Sequence, residues 1–169
     1  MNRVASGHRI ILAFLRKDLV DRERVHMLLV EDNPDHAQLA LRSLQEHRVS
    51  HTVDHVSDGA QALAYLRRQE PYADRPRPDV VLLDLKLPKI DGHEVLATIK
   101  QDDSLKSIPV VIVSTSNAQG DMVRAYGLHA NSYLVKPLDF EKFRQMFAAV
   151  KYYWGLWNEN PSQHENTNT

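Results

Sequence analysis

Five side chains in this sequence have types suited to handling a phosphoryl group: the adjacent carboxylates Glu31 and Asp32, a separate Asp84, the hydroxyl of Ser114 and the ammonium of Lys136. Each follows directly on a short apolar run. Singly, each has an ordinary explanation: an acidic pair after a strand is usually a solvated turn, a lone Asp a helix cap, a Ser a turn residue, a Lys-Pro a strand terminus. Together they carry a different meaning. Three carboxylates gathered in one place repel each other unless a cation sits among them. Donors that are all oxygen suit a hard divalent ion such as Mg²⁺. A single lysine cannot neutralise three carboxylates, so the set reads as one built to receive an anion. A phosphoryl group on Asp84, the central carboxylate, would be held by the metal, the Lys136 ammonium and the Ser114 hydroxyl.

For these residues to meet, the chain between them must place the ends of its apolar runs side by side. Residues 27–30 and 80–83 are continuous apolar runs, as expected of strands covered on both faces. Pro109 opens a third run at 110–113, residues 132–135 read as another strand, and 52–56 as a weaker one. Helical spacing occupies the intervals. Pro34 suits a first helical position, and Asp58 and Asp139 suit helix caps. Five strands alternating with five helices predict an α/β fold with a doubly wound parallel sheet, flavodoxin-like, in the order 2-1-3-4-5. In such sheets ligands sit outside the carboxyl ends of the strands at the switch point, where Glu31, Asp32, Asp84, Ser114 and Lys136 would converge. Residues 1–24 read as an N-terminal extension with one apolar face (Ile10, Ile11, Phe14, Leu15, Leu19). Residues 25–157 read as the organised domain with an extended last helix, and 158–169 as a polar, disordered tail.

Composition removes several classes. The chain has 21 Lys and Arg against 22 Asp and Glu, net charge −1, which gives no electrostatic case for nucleic acid or an anionic membrane. With no cysteine, disulfides and thiolate metal sites are excluded. No apolar run approaches the roughly 20 residues of a membrane span. The run at 10–15 is too short and lacks a cleavage site, so a signal peptide is not expected, and a cytoplasmic protein is. A flavin-phosphate loop would not be Glu31-Asp32-Asn33-Pro34-Asp35, and no Walker motif occurs. An aspartyl-phosphate phosphatase needs a carboxylate at position 86, which is a lysine.

These motifs resemble the receiver domain of response regulators. Leu28-Leu29-Val30-Glu31-Asp32-Asn33 matches that family's first strand and acidic pair, and Leu82-Leu83-Asp84-Leu85-Lys86-Leu87-Pro88 followed by Asp91-Gly92 its phosphoacceptor segment. Val113-Ser114-Thr115 and Tyr133-Leu134-Val135-Lys136-Pro137 complete the set in order. The resemblance implies that a histidine kinase phosphorylates Asp84, and that Glu31, Asp32, Asp84 and the Lys86 backbone carbonyl bind Mg²⁺. It further implies that Lys136 pairs with the phosphoryl group, that Ser114 and Tyr133 act as the switch pair, and that the peptide before Pro137 is cis. Such a chain is a signalling protein, catalysing only its own phosphorylation and dephosphorylation. The stretch Ser114-Thr115-Ser116, the segment 126–131 and the aromatic end 152–157 are similar to the phytochrome-associated regulators of bacteria. These are receivers without an output domain, often dimeric, so the implied kinase is a bacteriophytochrome. A homodimer through the fourth helix, fifth strand and fifth helix is expected, with Phe143, Phe147, Val150, Tyr152, Tyr153, Trp154 and Trp157 offering more aromatic surface than one buried face needs. Lys86 departs from the shorter polar residue common there, and a long cation at that place would shield an acyl phosphate from water.

Overall fold

The computed structural model describes residues 25–45 and 51–158. The expectations for 1–24 and 159–169 lie outside the described residues. Five parallel strands form one sheet: β1 (Val25–Val30), β2 (His51–Val56), β3 (Val80–Leu83), β4 (Val110–Ser114) and β5 (Ser132–Val135), in the order β2-β1-β3-β4-β5. Between and after them lie α1 (Pro34–Gln45), α2 (Gly59–Leu66), α3 (Gly92–Gln101), α4 (Gln119–Gly127) and α5 (Phe140–Tyr152). The flavodoxin-like order read from the sequence is the observed one.

The burial of the strands explains that order. β1, β3 and β4 are buried at every position, as continuous apolar runs must be when helices cover both faces. β2 and β5 are half-exposed edge strands. Side-chain alternation then splits the core in two. On one face Leu28, Val30, Val81, Leu83 and Ile112 pack with residues of α2, α3 and α4. On the other, Met27, Leu29, Val80, Leu82 and Val111 pack with Leu44 of α1 and with Phe143, Phe147 and Val150 of α5.

This second cluster corrects the aromatic-surface expectation. Phe143, Phe147 and Val150 are core residues, because α5 lies against α1 and the sheet and turns this stripe inward. Tyr152, Tyr153 and Trp157 remain exposed, while Trp154 is partly buried against the same cluster. α5 also ends differently from a simple helix. At Tyr153–Trp157 the backbone widens into one π-type turn, and the Asn158 N–H donates to the Tyr153 carbonyl at 2.8 Å.

Candidate phosphoryl site

The site begins with how each strand hands over to its helix. After β1, Asn33 caps α1: its Oδ1 accepts the N–H groups of Asp35 at 3.0 Å and His36 at 3.1 Å, and Pro34 takes the first helical position, where no N–H is needed. This tight exit leaves Glu31 pointing inward, 3% exposed, and Asp32 outward. After β3, the Asp84 N–H donates to the Val30 carbonyl at 3.0 Å, extending the sheet by one bond and setting Asp84 beside the acidic pair. The loop that follows closes against α3 through Gly92, whose N–H donates to the Leu85 carbonyl at 2.9 Å. A Cβ at Gly92 would lie 2.3 Å from the Asp84 carbonyl oxygen, so only glycine permits this approach.

Glu31, Asp32 and Asp84 each present a carboxylate oxygen, and these oxygens lie within 4.8 Å of one another. The Lys136 Nζ donates to Glu31 Oε2 and, at 2.6 Å, to Asp84 Oδ2. Lys136 is itself 5% exposed. Burial pushes the Glu31 carboxyl above its usual range, and the Lys136 ammonium opposes that rise. The donor set is all oxygen and carries more negative charge than Lys136 balances, so the residues fit a hard divalent cation. Lys86 N–H donates to Asp84 Oδ1 at 3.2 Å, while the Lys86 side chain is exposed.

Ser114 closes β4 and is fully buried, its Oγ accepting the Ser116 N–H at 3.2 Å. Tyr133 on β5 is half-buried and its hydroxyl donates to the Ser116 carbonyl at 3.0 Å. Burial raises its hydroxyl pKa. Both expected switch residues therefore meet the β4–α4 loop at Ser116. Lys136 is delivered by strand pairing, its N–H donating to the Ser114 carbonyl at 2.8 Å. Among the described residues the cis peptide bond is Glu70–Pro71. The bond before Pro137 is not cis, which corrects that expectation: sheet pairing and the two carboxylates position Lys136 without it.

Sequence reasoning gave no role to Lys89. Its Nζ lies 2.5 Å from Asp58 Oδ2, tying the loop after β3 to the cap of α2. Burial alone would raise the Asp58 carboxyl, but the Lys89 ammonium and the Gln61 N–H hold it below its usual range. Ser116 and Asp121 were likewise missed as a pair; their side chains meet at 2.5 Å. A contact reaching 31 residues back along the chain leaves no periodic trace, whereas Ser116 sits within a loop whose polar character alone signals a turn.

A five-stranded 2-1-3-4-5 sheet with an acidic triad and a lysine at its carboxyl edge defines a receiver. Residues 27–148 match the response regulator receiver domain, and the chain belongs to that family. Receivers bind a divalent metal, and the acidic cluster here is of that kind. The chain is 47% identical over 135 residues to the "Probable methanogenesis regulatory protein FilR2" of Methanothrix harundinacea, covering 80% of this chain and 86% of that one. It is 41% identical to response regulator Rcp1 of Synechocystis, over 76% of this chain and 87% of the relative. The structure of Mn²⁺-bound Rcp1 superposes with a TM-score of 0.78 at 39% identity, covering 81% of this chain and 99% of that one. The phosphorylated cyanobacterial phytochrome response regulator RcpA gives 0.79 at 42% identity, over 82% and 99% of the two chains.

Proposed function

We propose that Asp84 accepts a phosphoryl group from a histidine kinase, with Glu31, Asp32, Asp84 and the Lys86 carbonyl holding Mg²⁺. The observation that carries this reading is the buried Lys136 ammonium shared between Glu31 and Asp84, beside the exposed Asp32. Asp84 supplies a carboxylate oxygen that bonds to phosphorus as the bond from phosphorus to the kinase histidine breaks, and the departing imidazole takes a proton. Lys136 then pairs with a phosphoryl oxygen in place of one carboxylate, and Ser114 donates its hydroxyl to another. Mg²⁺, when bound, neutralises charge on the transferring group. Ser114 and Tyr133 carry the change outward through the Ser116 segment that both already contact.

Incubation with Mg²⁺ and acetyl phosphate should add one phosphoryl mass to the chain and none to Asp84→Asn. No gain in the parent chain, or the same gain in the variant, would overturn the assignment.

The kinase reading follows the likeness to RcpA, which is named as a phytochrome response regulator: the donor is a bacteriophytochrome, and the protein works in the cytoplasm beside it. The likeness to FilR2 favours a second reading, in which another sensor kinase supplies the phosphoryl group. Transfer from a purified bacteriophytochrome kinase supports the first. Labelling by acetyl phosphate alone supports the second and leaves Asp84 in its role.

Output passes through a homodimer built on α4, β5 and α5. Exposed Val123 and Tyr126 on α4 and Val135 on the edge strand β5 support this face, and Tyr152 continues it. Light scattering at micromolar concentration should give twice the chain mass, and Tyr126→Asp should give the single-chain mass.

A further inference from the structure

On the sheet edge opposite Asp84 lies an apolar groove of about 970 Å³ beneath the end of α5. Its floor and walls include Val111, Leu134, Met146, Ala149, Val150 and Trp154. The groove begins almost where the described chain begins. Asp79, on its rim, exchanges two hydrogen bonds with His26, each 2.7 Å: the Asp79 N–H donates to the His26 carbonyl, and the His26 N–H to the Asp79 carboxylate. Val25 shares one core cluster with the lining residues Val111 and Val150. The 24 residues preceding Val25 therefore join the fold next to the strand whose lead-in forms this rim.

Those residues carry a matching surface. Ile11, Phe14 and Leu15 fall at the i, i+3, i+4 positions by which a helix anchors in a groove, with Ile10 four residues before Phe14, Leu19 four residues after Leu15, and Arg16 on the opposite side of that pattern. Reach is sufficient. From β1 to β5 is three strand spacings, about 14 Å, whereas the six-residue step from Leu19 to Val25 extends to about 20 Å. Tethering also gives the segment an effective concentration of order millimolar at the groove.

We propose that the apolar face of residues 10–19 docks in this groove of its own chain, covering Trp154 and the end of α5. The N-terminal segment is then an intramolecular partner of the fold.

The chain has no cysteine, so paired substitutions report proximity directly. In the full chain at low micromolar concentration, Phe14→Cys with Ala149→Cys should form an intramolecular disulfide about tenfold faster than Arg16→Cys with Ala149→Cys, because docking adds orientation to the tether. Equal rates would mean that tethering alone brings the positions together, and a disulfide joining two chains would mean that a second copy fills the groove. Either overturns the proposal. In a Trp157→Phe background, which leaves Trp154 as the single tryptophan, the double substitution Phe14→Asp and Leu15→Asp should shift emission to the red. Unchanged emission, with circular dichroism showing an intact fold, would also overturn it.

Discussion

Replacing Lys136 by Met keeps the bulk of the side chain and deletes the ammonium that Glu31 and Asp84 share. All three side chains are nearly fully buried, so the two carboxylates lose a partner that water cannot replace. Their oxygens lie within 4.8 Å, which at an effective dielectric of 20 corresponds to roughly 3 kcal/mol of repulsion. Orphaning a buried charge typically costs about 3–5 kcal/mol. Lys136→Met should therefore lower unfolding free energy by about 3–4 kcal/mol at pH 8 without divalent ions. The pH dependence has a definite sign. Burial holds the Glu31 carboxyl above its usual value of 4.5, and without Lys136 it rises further. Between that usual value and the raised one the folded state binds more protons than the unfolded state, so stability falls as pH rises through this window. The deficit relative to the parent should shrink at pH 5 and grow toward pH 8. Mg²⁺ should reduce it at pH 8 by supplying the missing positive charge. Urea denaturation at both pH values, with and without Mg²⁺, measures all of this. A loss under about 1 kcal/mol that does not vary with pH would mean that the three groups are solvated, and would refute the electrostatic account of the site.

Lys86→Asn should speed loss of the phosphoryl group by about tenfold, equivalent to about 1.4 kcal/mol of barrier, if the exposed Lys86 chain screens Asp84 from water; an unchanged decay rate would remove that role. Gly92→Ala should cost about 1–3 kcal/mol in thermal or urea unfolding, since its Cβ meets the Asp84 carbonyl oxygen, and should slow phosphorylation by displacing Asp84; wild-type values of both would contradict the close approach. His26 is buried and its pKa is lowered by that burial, so below about 6.5 the unfolded state binds more protons. Parent stability should then fall more steeply between pH 6.5 and 5 than that of His26→Gln, and parallel curves would refute this.

The strands and the five converging residues were legible because their signals are local. Continuous apolar runs specify strands covered on both faces, and the runs of β1 and β3 end directly at the carboxylates that the fold gathers together. Caps were equally readable: Asp58 and Asp139 accept the N–H groups of Gln61 and Lys142, as their positions implied. α1 is described only as far as Gln45, short of the expected end near Arg48, because residues 46–50 lie outside the described part. What the sequence did not reveal depends on which way an amphipathic stripe turns. Phe143 and Phe147 have helical spacing that fits a core face or a docking face equally, and only the packing of α5 on α1 decides. The network of His26 with Thr52 and Tyr65, and of Tyr65 with Asp54 at 2.5 Å, joins residues 11 to 39 apart. Polar side chains inside apparent strands look like interruptions until their partners are placed.

Val135 and Lys136 are consecutive residues, one 38% exposed and the other 5%. Pleating sends neighbouring side chains to opposite sides of a strand, so a single peptide plane separates a buried ammonium from the rim of the sheet. The Lys136 N–H bond to the Ser114 carbonyl ties that plane to β4, so the acidic cluster and the exposed face of Val135 share one short stretch of backbone.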